Sequence, residues 1–167
     1  MKRYSSAAGL ALAIVVVLGL KGPVAAGEPV PFKGRFEAVE THTPLPPPLV
    51  LIDADGTGRA THLGNFTLGI DALLNFKTRA AVGFYEFTAA NGDTLTAAFT
   101  GQSSPTATPG VIRIKENATI TGGTGRFAGA SGSFVSERLL DTATLASTGS
   151  FEGTITLRDD ENEADDD

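Results

Sequence analysis

Cysteine is absent from this chain, and histidine occurs only twice in 167 residues. The first absence excludes a disulfide framework and a lipid-attachment cysteine, so a folded domain must hold together on its core alone. The second leaves no dedicated zinc cluster: His42 lies in a Pro-rich stretch and His62 close to Gly64, with no metal-ligand spacing between them. Neither a metal nor a cofactor is expected. Bases are scarce, 13 against 19 acids, and the net charge of -6 argues against nucleic acid and anionic membranes as partners. Helical spacing is missing from residue 27 onward, apart from about one turn around 126–129.

The two ends differ from the middle. Lys2 and Arg3 precede a 14-residue apolar run over 7–20, and Val24-Ala25-Ala26 puts small residues where a signal peptidase cuts before Gly27. A membrane anchor is the alternative, but a spanning helix needs roughly 20 apolar residues. The run ends too early for that, at Lys21. Residues 1–26 are therefore expected to be a signal peptide, 27–158 a single β-barrel domain, and 159–167 a disordered acidic tail with seven acids among its nine residues. The protein is expected to be secreted or periplasmic, with no membrane span once the leader is removed.

Between the ends, apolar residues alternate with polar ones, the mark of strands with one buried face. Phe66, Leu68, Ile70, Ala72, Leu74 and Phe76 share a face against Thr67, Gly69, Asp71 and Asn75, with only Leu73 out of phase. Leu95, Ala97 and Phe99 are expected inward, as are Ile112, Ile114, Ala118 and Ile120, and Phe151, Gly153, Ile155 and Leu157. These four strands are expected to carry no ionisable group inward. Residues 32–40, 49–54, 59–63, 82–90 and 133–140 are further strands with less regular phasing.

Turn chemistry separates the runs. Asn91-Gly92 between two alternating segments predicts a type I′ hairpin, which needs φ > 0 at both central residues. Asp53-Ala54-Asp55-Gly56-Thr57-Gly58 has the start of a calcium loop, but Gly64 stands where the bidentate glutamate belongs, so a strand-ending turn is expected. Thr119 to Val135 holds five glycines between Gly122 and Gly132, and Gly122-Gly123-Thr124-Gly125 predicts a tight reversal with Phe127 plugging the end of an apolar interior. The segment 123–128 fits a dinucleotide fingerprint formally but lacks the helix that would hold a pyrophosphate. Ser131 and Ser133 do not complete a nucleophile elbow. Asn65 and Asn117 begin glycosylation sequons. About eight short strands without a disulfide predict an all-β chain, a single antiparallel eight-stranded barrel in preference to a sandwich, because closure removes exposed edges.

The order Asn91-Gly92-Asp93, then Ile120-Thr121-Gly122-Gly123-Thr124-Gly125-Arg126-Phe127, Gly129-Ala130-Ser131-Gly132 and a strand ending near Glu152-Gly153 resembles the allene oxide cyclase and dirigent barrels, and small secreted bacterial proteins of similar arrangement. The resemblance covers about 85–157. It implies an eight-stranded, calycin-like barrel with an apolar cavity, often assembled as a trimer; the plant cyclases steer closure of a fatty-acid epoxide and dirigent proteins steer coupling of phenoxy radicals. Those cyclases use a glutamate and a tyrosine inside the barrel, and no position here maps onto them directly.

Three functions follow. One is a barrel that binds a small apolar ligand, lined by Phe66, Leu68, Ile70, Leu74, Leu95, Phe99, Ile112, Ile114, Phe127, Phe151 and Ile155, with room hinted at by the small residues Ala72, Ala97, Ala118 and Gly153. The second is a structural or interaction module with a filled core. The third is an isomerase or stereochemical guide, for which Glu40, Arg59, His62, Tyr85, Glu86 and Arg138 are the available polar groups, none with an assignable catalytic role.

Overall fold

A computed structural model describes residues 27–158. The expected signal peptide (1–26) and expected acidic tail (159–167) lie outside the described residues. Eight antiparallel strands close into a barrel in simple sequence order: β1 (Val30–Pro44), β2 (Leu49–Ala60), β3 (Gly64–Asn75), β4 (Ala80–Ala89), β5 (Thr94–Pro105), β6 (Val111–Gly123), β7 (Ser131–Asp141) and β8 (Ala146–Thr156). One 3-10 turn, Gly125–Phe127, interrupts the pattern. Following paired residues round the wall from Glu40 through Ala54, Ile70, Tyr85, Ala97, Ile120, Gly132 and Ile155 returns to Val30, ten residues from the start. That stagger tilts the strands, and eight of them enclose a lumen wide enough to be filled or to hold one small ligand.

The links at 45–48, 76–79, 106–110 and 142–145 gather at one end of the barrel; those at 61–63, 90–93 and 124–130 gather at the other. The second end is closed. Phe127 is fully buried there beside Leu63. The Arg126 guanidinium lies 5.0 Å from the Phe127 ring centroid, and its Nη2 reaches the Leu63 carbonyl at 3.5 Å. Asp93 ties the adjoining hairpin to this plug, accepting from Asn91 Nδ2 at 2.8 Å and from the Arg126 backbone N–H at 3.3 Å. The glycine reversal and the role expected of Phe127 are thus both present.

Above the plug the lumen is aromatic. Phe32, Phe66, Phe87, Phe134 and Phe151 meet with centroids such as Phe32 to Phe151 at 4.9 Å and Phe66 to Phe87 at 5.3 Å, with Tyr85 and Phe99 adjoining at 4.8 Å. Rings of this size fit because their neighbours lack side chains. A Cβ at Gly58 would overlap the Phe66 ring, one at Gly83 the Phe99 ring, and one at Gly34 the Phe151 ring. Gly153 is likewise filled from the side, by Phe134 rather than by empty space.

This packing corrects several sequence expectations. Residues 49–54 and 59–63 are not two strands with a turn between them: Gly56 and Gly58 lie mid-strand in β2, where they admit core atoms from β1 and β3. The Asn91-Gly92 turn is not type I′, since only Gly92 has positive φ, at 89°. The Gly92 N–H donates to the Ala89 carbonyl, as in a type I turn followed by one left-handed residue. Phe76 lies beyond the end of β3 and is exposed, because the chain has already turned away from the lumen.

Truncation of the plug, Phe127→Ala, is expected to cost about 3 to 5 kcal/mol in denaturant unfolding. Gly58→Val is expected to cost about 1 to 3 kcal/mol by overpacking, whereas Gly69→Val, whose Cβ meets nothing within 4 Å, stays within about 0.5 kcal/mol. Equal losses at the two glycines would mean that ring accommodation is not what fixes Gly58.

Candidate functional site

The alternation that turns Ile112, Ile114, Ala118 and Ile120 inward on β6 turns Glu116 inward as well, and the structure buries it to 1% exposure. This overturns the expectation of an ion-free lumen on the regular strands. Three elements from the less regular strands join it: Glu40 on β1, Tyr85 on β4 and Arg138 on β7, each 5% exposed or less. Side chains separated by up to 98 residues in sequence thus converge near the middle of the lumen.

Their bonds form a chain. Tyr85 donates its hydroxyl to Glu116 Oε2 in a short contact. Arg138 donates to Glu116 Oε1 from Nη2 at 3.2 Å and from Nε at 3.4 Å, and from Nη1 to Glu40 Oε1 in a second short contact. The other Glu40 oxygen lies 2.7 Å from His42 Nε2 at the barrel rim. Ser147 Oγ takes a long bond from Arg138 at 3.5 Å. Ser136 Oγ, fully buried on β7 opposite Glu116, lies beside the Tyr85 phenol, within reach of a hydrogen bond to it. Gly149 makes the space: a Cβ there would lie 2.7 Å from the Arg138 Cβ and 2.8 Å from the Phe36 ring.

Burial shifts these groups in opposite senses. It pushes the Tyr85 phenol well above its ordinary value, and the adjacent Glu116 charge adds to the shift, so Tyr85 is a neutral donor at physiological pH. Burial alone would lower Arg138, but the carboxylates of Glu116 and Glu40 outweigh it and the guanidinium is held more firmly protonated than usual.

Directly against this cluster, at the end opposite the plug, lies a cavity of about 220 Å³. Its walls are Ile52, Leu74, Ile112, Ile114, Leu140 and Leu145, and its polar boundary is made by Glu40, Glu116 and Arg138, with His42, Arg79 and Gln102 also lining it. Of the residues expected to line a ligand site, Leu74, Ile112 and Ile114 border this cavity. Phe66, Leu68, Ile70, Leu95, Phe99, Phe127, Phe151 and Ile155 belong to the packed core instead. Of the polar candidates, Glu40, Tyr85 and Arg138 are brought together, while Arg59, His62 and Glu86 are exposed elsewhere. Glu116 and Ser136 were missed, and the signal for Glu116 was the period-two phase of β6 itself.

These features define a closed antiparallel barrel, plugged at one end, with a small cavity over a charged floor at the other. No protein-family model matches the chain, and no curated protein matches it in sequence. Among solved structures it is similar to the pterocarpan synthase dirigent protein GePTS1, at 12% identity and a TM-score of 0.56, over 93% of this chain and 98% of that one. The fold is that of a dirigent-like barrel.

Arg138→Met is expected to destabilise by about 3 to 5 kcal/mol, because it leaves two carboxylates buried without their cation. The triple replacement Glu40→Leu, Glu116→Leu and Arg138→Met should cost less than that single change. A raised phenol pKa contributes stability below the unfolded value of about 10 and loses it as pH climbs above that value. Unfolding free energy should therefore fall above about pH 10, and Tyr85→Phe should flatten that fall; an unchanged alkaline slope would show that Tyr85 ionises as freely when folded.

Proposed function

We propose that the chain is an exported barrel that binds a small, mainly apolar ligand in the open half of its lumen. What carries this reading is the meeting of a cavity walled by Ile52, Leu74, Ile112, Ile114, Leu140 and Leu145 with a buried ionic floor. A barrel that needed only to be filled would gain more from apolar side chains, since sealing three charges away from water is costly even when they are paired. Charged groups concentrated at one side of an otherwise apolar-walled pocket are what orients a guest. The reading of a module with a wholly filled core is weaker for the same reason.

A second reading is favoured by the Tyr85–Glu116 contact: an isomerase or stereochemical guide, as in the allene oxide cyclases and dirigent proteins that the motifs resemble. Glu116 touches both the cavity and the phenol, so a proton could pass between a bound molecule and Tyr85 through its carboxylate. GePTS1 is described as a pterocarpan synthase, and a comparable steering role is the enzymatic form of this proposal. Assembly belongs to the proposal too. Leu51, Leu73, Val82 and Phe84 form a contiguous strip on the outer wall of β2, β3 and β4, with Phe84 62% exposed, and a second copy of the chain, in a trimer by resemblance, is the partner that would cover it.

The protein is expected to take up an environment-sensitive apolar dye saturably at micromolar concentration. Ile114→Trp, which fills the cavity from its wall, should weaken uptake at least tenfold without unfolding the barrel. Absence of saturable uptake would count against any lumenal guest. Tyr85→Phe and Glu116→Gln separate the two readings: retained uptake with lost turnover of a converted ligand marks the enzyme, and retained uptake with no turnover in the parent marks the binder.

A further inference from the structure

The outer wall carries an arrangement that the lumen does not explain. Arg35 on β1 and Arg59 on β2 are direct partners across the ladder, and both are exposed. Side chains in that relation have Cβ atoms about 5 Å apart, where like charges repel. None of the ion pairs among the described residues includes either arginine; those pairs use Lys33, His42, Arg113, Arg126 and Arg138.

The row continues on both sides. Arg35 pairs with Ser150 on β8, and Arg59 with Asn65 on β3, so Ser150, Arg35, Arg59 and Asn65 stand abreast on four adjacent strands. At the usual strand spacing these donors span roughly 14 Å. The next row is Thr148, Glu37, Thr57, Thr67 and Thr88, again one residue per strand. Most of these residues line one surface groove of about 920 Å³.

We propose that this wall is a binding site for an acidic polysaccharide. The guanidinium pair matches a sugar carboxylate, which arginine holds with two parallel hydrogen bonds. The flanking amide and hydroxyl groups match sugar hydroxyls, and Glu37 accepts from them. One feature disfavours nucleic acid: the rows contain no aromatic side chain on which a base could stack, and Phe36 and Phe66 at the base of the groove are buried in the core. The site stands apart from the lumen, so it holds or fails independently of the lumenal ligand.

The test is titration of the full, unglycosylated chain with an oligouronate, its neutral methyl ester and duplex DNA. A second form, with the seven acids of 159–167 changed to amides, separates competition by the tail from absence of a site. The oligouronate should bind saturably to at least one form, and the ester at least tenfold more weakly. The double variant Arg35→Gln, Arg59→Gln should lose at least tenfold in oligouronate affinity while its dye uptake in the lumen is unchanged and its Tm is not lowered, since a repulsion has been removed. No binding to either form, equal binding of the ester, DNA binding as tight as the oligouronate, or full affinity in the double variant would overturn the proposal.

Discussion

The interior of this barrel depends on the fit between phenylalanine rings and glycine gaps. A closed wall of eight strands fixes the lumen's width, and side chains of even size would leave it either strained or hollow. Gly34, Gly58 and Gly83 let Phe151, Phe66 and Phe99 cross the axis, so half of the lumen is solid. Because the volume is taken up at that half, what is left over collects at the other. The cavity is thus a product of packing as much as of any group that lines it.

The ionic cluster sits at the boundary between the two halves. Arg138 is shared by Glu116 and Glu40, and Tyr85 and His42 occupy the remaining carboxylate oxygens. Each partner lowers the burden of burying the others, which is why removal of one differs so sharply from removal of all. Ser136 adjoins the network as a buried hydroxyl beside the Tyr85 phenol. A site poised in this way supports recognition and proton movement with the same atoms, so the binding and enzymatic readings share a single set of residues.

Much of the architecture was legible because closure, alternation and turn chemistry are local signals. Leu95, Ala97 and Phe99 could be phased from their own strand, and the glycine reversal before Phe127 pointed to the plug. The misreadings also have a common cause. Gly56 and Gly58 looked like a turn because glycine serves both reversals and close approach, and only the partner strand shows which applies. Glu116 stood in phase with Ile114 and Ala118, yet its inward position makes sense only once Arg138, Tyr85 and Glu40 are seen to reach it from other strands. Charge pairing of that kind is non-local, as is the division of the apolar residues between filled core and cavity wall.

Asp93 fastens the β4–β5 hairpin to the turn that carries Phe127, and Arg126 adds a bond to the β2–β3 link. Three separate connections are thereby stitched into one rigid base. Under the proposed reading, a guest would have one doorway, would back out the way it came, and would meet the carboxylates with whichever part of it leads. The barrel is a cup and not a pipe, and that shape would fix the heading of whatever enters it.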